Sequence, residues 1–319
     1  MGHHFSRTWG APRVALGLFV TVTEQCPTRR SIISMLVLAS IPTATNALNP
    51  ERVHLLSWYP ERNPTNFLFR GNNPTAVDAA TLQGRSFNFS ALIATLQQKA
   101  QSECAQTLPE NFLFHDLNLE NPTDPGFFAE AIYWKLHEKS GMLGTPSAPG
   151  VWTTLGSIEE PQRMPEAQRK ARVANGSWAV GNHADHLAAR LNATRSLLED
   201  TSGPPRILYV HCNAGCDRTG EFIASYAMQY LQYNVTTAYA EGCKQCGRCP
   251  NFYATNAIAW WCLTLESQRL ASPPGLGNCL DFASCKFFGD CTAKGGTPRA
   301  GDCPERDDWT VEQTDQVEA

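Results

Sequence analysis

The chain has no excess of positive charge: 26 Lys and Arg stand against 30 Asp and Glu, a formal net charge of −4. No global basic field therefore invites nucleic acid. There is no internal repeat, which excludes a repeat architecture. The apolar stretches near the N-terminus, Val14 to Val22 and Ile32 to Ile41, are too short to span a bilayer, so no stable membrane span is expected in the mature chain. Charged residues make up only 18% of the sequence against 42% apolar, the balance of a globular chain with a sizeable core. At 319 residues there is room for one large domain with additions or for two small ones.

Cysteine, by contrast, is abundant: 12 in all, eight of them between 243 and 303. Such a count points to a metal, a redox role or an oxidising compartment. Residues 1–47 read as a signal or targeting segment. Arg29 and Arg30 precede the apolar run to Ile41, and small residues lead to a cleavage site after Ala47. Asn-x-Ser/Thr sequons stand at Asn88, Asn175, Asn192 and Asn234. Together these favour a secreted or secretory-pathway lumenal glycoprotein held by disulfides. Organelle targeting and a cytoplasmic location are the alternatives.

Strands alternate with helices, which argues for an α/β fold. A strand is expected over 66–70, ending at Gly71-Asn72-Asn73-Pro74, and a helix over 90–105 with Leu92, Leu96 and Ala100 inward. Phe112 to Phe114 forms a short strand that runs into a turn-rich segment. The helix after it, 127–139, carries Phe128, Ile132 and Leu136 on one face. Residues 140–181 lack a clean period and read as an insertion. Further helices are expected over 183–199, 219–233 and 253–266, and Ile207 to Val210 reads as a strand buried on both faces. The domain spans 48–266. Residues 267–319 form a cysteine-rich extension with an acidic tail, from Asp302 to Glu318.

The buried strand ends in His211-Cys212-Asn213-Ala214-Gly215-Cys216-Asp217-Arg218-Thr219-Gly220. A five-residue loop between strand and helix can aim its backbone N–H groups at one point and form an anion nest, reinforced by the helix N-terminus. At its base Cys212 becomes a low-pKa nucleophile. Arg218 offers a planar fork for two phosphoryl oxygens. The Thr219 hydroxyl can donate to the departing sulfur. Asn213, Ala214, Gly215, Cys216, Asp217 and Gly220 supply the phosphate-binding backbone. No cofactor and no metal is needed.

This His-Cys-x5-Arg-Thr-Gly string resembles the signature loop of the cysteine-dependent protein tyrosine and dual-specificity phosphatase superfamily. Phe69-Arg70-Gly71 is similar to the opening Tyr/Phe-Arg-Gly of such domains. The resemblance implies a dual-specificity-phosphatase-like central sheet flanked by helices and a phosphocysteine intermediate. The implied partner is a phosphorylated protein. His211 then orders the loop rather than acting as a base. The general acid implied is an upstream aspartate, for which Asp116 is the choice, with Asp124 and Asp185 as alternatives.

Asp217 is a further candidate, since Asp-Arg-Thr resembles the myotubularin and Sac-domain phosphoinositide phosphatases; a phosphoinositide substrate is the alternative function. A phosphate-binding pseudophosphatase is another. Cys243, Cys246 and Cys249 either hold zinc or join a disulfide framework. Cys216 is either a redox partner of Cys212 or a small filler.

Overall fold

The computed structural model describes residues 48–58, 65–82, 84–137, 142–143, 155–179, 186–268 and 275–280. The leader, Asp185 and most of the C-terminal extension lie outside them.

In chain order the elements are β1 (His54–Trp58), β2 (Phe67–Asn72), β3 (Thr75–Val77), β4 (Arg85–Phe87), α1 (Phe89–Cys104), β5 (Leu113–Asn118), α2 (Phe127–His137), β6 (Met142–Leu143), α3 (Glu166–Asn175), α4 (Leu187–Glu199), β7 (Arg206–Cys212), α5 (Arg218–Tyr230), α6 (Val235–Cys246) and α7 (Phe252–Ser267). The main sheet has the order β1-β2-β7-β5-β6, and β3 pairs with β4 in a separate hairpin. Strands β2, β7, β5 and β6 run parallel, and β1 is antiparallel at the edge. This is a mixed α/β fold with β7 in the middle of its sheet.

Alternation along β7 divides the core in two. Leu208 and Val210 face one layer, packed with Phe222, Tyr226, Ile258, Trp260 and Leu191 from α5, α7 and α4. Ile207 and Tyr209 face the other, with Leu92 and Leu96 of α1, Phe69, Phe114 and Trp134. A strand covered on both sides reads as an unbroken apolar run, and each such side chain contributes about 1.5–3 kcal/mol by leaving water. No described helix is long and apolar enough to cross a membrane.

Two expectations are corrected and a third is filled in. Strand β2 does not stop before Gly71: Gly71 and Asn72 pair with His211 and Cys212 and carry the strand on. The 140–181 segment, read as an insertion without a clean period, does carry regular structure. It contains α3, and Leu155 and Trp178 join the core. The Phe128, Ile132 and Leu136 face of α2 is turned outward, 54%, 37% and 74% exposed, while Ala129, Glu130 and Trp134 point inward.

Parallel strands that end together leave a crevice at their carboxyl ends. Here three ends converge: Asn72 of β2, Cys212 of β7 and Asn118 of β5.

Candidate active site

Cys212 closes β7, is almost fully buried, and is the free thiol among the described cysteines. The loop after it has an unusual division of polar groups. Its carbonyls are tied outward. That of Asn213 accepts from the Asn73 N–H at 3.2 Å, that of Ala214 from Arg52 Nη1 at 2.9 Å, and that of Gly215 from Arg70 Nη2. The Asp217 carbonyl accepts from the Glu221 N–H at 2.8 Å as α5 begins. The backbone N–H groups of residues 213–217, by contrast, find no acceptor among the described residues. Buried amides without partners are costly, and a row of them beside a helix N-terminus is the makings of an anion site.

The glycines explain part of this shape. Gly215 has φ +76°, and a Cβ there would lie 2.5 Å from the Gly71 carbonyl oxygen. A Cβ on Gly71 would lie 2.0 Å from the Tyr209 hydroxyl. That hydroxyl donates to the Asn72 carbonyl at 2.7 Å. Loop and strand therefore approach backbone to backbone, and Arg70 beside them is wholly buried under the loop. Burial drives the Arg70 guanidinium down to about 10, with Cys212 opposing the shift.

Beneath the loop, His211 is fully buried between two carboxylates. Its Nε2 lies 2.8 Å from Asp116 Oδ1 and 3.3 Å from Glu130 Oε2. Burial disfavours the imidazolium, but Glu130 and Asp116 outweigh it and hold the pKa of His211 well above the usual value. Burial pushes Glu130 up to about 8 against the pull of His211, so one proton stays on this carboxyl near neutrality. The trio Asp116, Glu130 and His211 offers ligand atoms within 4.8 Å of one another. An ion-paired imidazolium with one protonated carboxyl accounts for it.

Asp116 is not at the mouth of the site. It belongs to β5, accepts from Trp134 Nε1 at 2.7 Å through its other oxygen, and is wholly buried. Asp116, the expected proton donor, thus lies inside the sheet against His211, because β5 runs on through it to Asn118.

Asp124 is the aspartate that reaches the loop. Its Oδ2 lies 2.6 Å from Arg218 Nη1 and also accepts from the Asn121 N–H at 2.7 Å. The same Nη1 donates to the Leu119 carbonyl at 2.9 Å. Arg218 Nε and Nη2 have no partner among the described residues, which leaves one edge of the fork open. Burial works against the Arg218 charge, but Cys212 and Asp124 more than restore it. The Thr219 hydroxyl is buried without a partner among the described residues.

Sequence reasoning passed over Glu120, which is wholly buried and bonded by Asn73 Nδ2. Its second oxygen is without a partner, and burial raises its pKa. Asn73 thus ties the signature loop, through Asn213, to the segment that bears Asp124. Only the Asn-Asn-Pro turn signal marked it.

Asp217 turns away from the nest. Its carboxylate takes Arg248 Nη1 and Nη2, both at 2.7 Å, and the Asn251 N–H at 2.8 Å. These contacts tie the Asp217 side chain, a candidate acid in the sequence, to the turn between α6 and α7. Cys216 does not pair with Cys212 but with Cys246, Cα–Cα 5.4 Å. Cys243 pairs with Cys249 and Cys262 with Cys279. These bonds take up Cys243, Cys246 and Cys249 as disulfide halves in place of zinc ligands, and they point to an oxidising environment. Cys285, Cys291 and Cys303 lie outside the described residues. The chain matches no protein-family model, no curated protein and no solved structure.

Proposed function

We propose that the chain hydrolyses phosphate monoesters through a phosphocysteine on Cys212, with a phosphorylated protein as substrate. The observation that carries this reading is the signature loop. A free thiol stands at its base, its carbonyls are held outward, and five backbone N–H groups have no acceptor among the described residues. The sheet order, with the nucleophile strand central and parallel to its neighbours, fits a dual-specificity-phosphatase-like architecture.

The Cys212 thiolate attacks phosphorus while the bond to the leaving oxygen breaks. Backbone N–H groups and the open Nε and Nη2 edge of Arg218 hold the non-bridging oxygens. Asp124 supplies the proton to the leaving oxygen. This carboxylate lies 2.6 Å from Arg218 Nη1, at the edge of the loop where the leaving oxygen would sit. A water then attacks the phosphocysteine, Asp124 takes its proton, and the sulfur departs as thiolate with the Thr219 hydroxyl donating to it. The buried His211 imidazolium adds positive charge one residue from the sulfur. The disulfides and the leader support a secreted or lumenal place of action.

Hydrolysis of a small aryl phosphate by the full chain tests the reading, against Cys212→Ser and with rapid-quench trapping of phosphoenzyme. Turnover that vanishes in Cys212→Ser, with a trapped thiophosphate ester in the parent, is expected. A folded parent that binds orthovanadate without turning over substrate would instead be a pseudophosphatase. Faster turnover of phosphoinositides than of phosphopeptides would replace the substrate class.

A further inference from the structure

Besides its contacts with Arg52 and Asn73, the signature loop is built against the end of α6 and the turn that follows. Cys216 lies inside the loop, wholly buried, and its partner Cys246 is the last residue of α6. The same scaffold is fixed to the loop on either side of that bond. Arg70 donates to the Gly215 carbonyl with Nη2 and to Gln245 Oε1 with Nη1 at 3.1 Å. Beyond the bond, Asp217 is forked by Arg248. The Cys243–Cys249 bond, spanning six residues, closes the turn that carries Gln245 and Arg248. Among loop residues 213–217, Asn213, Ala214, Gly215 and Asp217 offer little apolar surface, so Cys216 is the side chain by which the loop is sunk into the protein.

We propose that Cys246 is a positioning residue for the reaction: its bond to Cys216 holds the nest in the shape that accepts phosphate, so the site works only while that disulfide is closed. This rests on the phosphatase reading above. A dithiol reductant would pass two electrons and two protons to the bond, leaving thiols on Cys216 and Cys246 and a disulfide on the reductant. The loop then loses its covalent tie between Gly215 and Asp217, and its N–H groups no longer converge. Reductant therefore lowers activity in this protein, although it preserves the Cys212 thiol. The closed bond also keeps Cys216 from serving as a resolving thiol for Cys212.

The test uses the full chain in a graded dithiothreitol buffer, with thiol alkylation and mass spectrometry to report which bonds are open, and orthovanadate as the phosphate-like probe. As Cys216 and Cys246 become alkylatable, the KM for an aryl phosphate and the inhibition constant of vanadate should each rise at least tenfold, with a smaller fall in kcat, and reoxidation should restore both. Because reduction opens every disulfide, the double variant Cys216→Ala/Cys246→Ala separates anchoring from global stability. It should stay folded by circular dichroism, show the raised KM without reductant, and no longer respond to it. Cys262→Ala/Cys279→Ala, remote from the loop, should keep the parent KM. An unchanged KM and vanadate inhibition in the folded double variant would overturn the proposal.

Absence of turnover in every redox state, with Cys212 alkylatable, would instead defeat the phosphatase reading. Anchoring is then read from orthovanadate binding measured by calorimetry. The double variant should bind it at least tenfold more weakly than the parent, and equal affinities would overturn it.

Discussion

Arg218 holds Asp124 with one nitrogen and keeps another edge open: Nη1 lies 2.6 Å from the carboxylate, and neither Nε nor Nη2 bonds any described residue. In the proposed reaction this carboxylate is displaced from Arg218 toward the leaving group. Asp124→Asn should lower kcat by about 10²–10⁴-fold on an alkyl or seryl phosphate and far less on a nitrophenyl ester. Asp116→Asn should slow both alike, since it acts through His211. Leaving-group dependence measured for the two variants decides between them, and the reverse pattern would return the proton to Asp116.

The Asp217–Arg248 fork predicts a binding defect. Asp217→Asn keeps the shape but loses the charge-assisted pair, and about 1.4 kcal/mol lost from loop alignment would raise KM roughly tenfold. Steady-state kinetics should place the change in KM, with the Tm shifted little. A kcat defect at constant KM would mean that the Asp217 side chain touches the reacting group.

Gly215 tolerates no side chain. Its left-handed φ and the 2.5 Å approach of any Cβ to the Gly71 carbonyl put backbone against side chain. Gly215→Ala should destabilise the domain by about 1–3 kcal/mol and abolish vanadate binding. Urea unfolding and vanadate inhibition check both.

The buried charges set the response of stability to pH. His211 is raised above its usual 6.5, so its contribution is complete below 6.5 and is lost as pH climbs through the higher folded value. Glu130, at about 8 in the fold against an ordinary 4.5, keeps a proton that the unfolded chain releases, so stability falls across that interval too. His115 works the other way: burial, then Arg206, depress it to about 4, and its folding advantage grows up to 6.5. Above 6.5 that opposition ends. Thermal midpoints should therefore decline from pH 6.5 to 8, and Glu130→Gln should flatten the decline. A midpoint that rises over this interval in the parent would contradict the assignment of charge beneath the loop.

Much of the frame was readable because it obeys simple periods. The run from Ile207 to Val210 is a central strand, and Leu92, Leu96 and Ala100 face inward from α1. What failed to show was decided by contacts between distant segments. The apolar stripe of α2 pointed the wrong way because Glu130 and Trp134 are drawn inward by His211 and Asp116, a polar preference that a hydrophobic period does not carry. Helix α3 has only small residues, Ala167, Ala171 and Ala174, beside Val173 on its apolar side and fully buries none of them, so its stripe is faint. Helix α6 was missed although Ala238, Gly242 and Cys246 lie on one inward face, since the cysteine spacing invites a metal or disulfide reading first. Cys212, Arg218 and Thr219 stood out as one contiguous string. Asp124 stood only among the alternatives to Asp116, because its nearness to Arg218 arises only when β5 lies against β7.

The order of the sheet has a consequence for how the chain is made. Strands β1 and β2 form one pair and β5 and β6 another, and β7 alone joins them. During synthesis residues 206–212 follow both pairs, so two sheet fragments wait with bare inner edges until the central strand slides between them. A chain cut short before residue 206 would present those edges to other molecules, and bare edges pair readily. The strand that carries Cys212 is thus also the keystone of the sheet, and nascent chains stalled upstream of it are the ones that should aggregate.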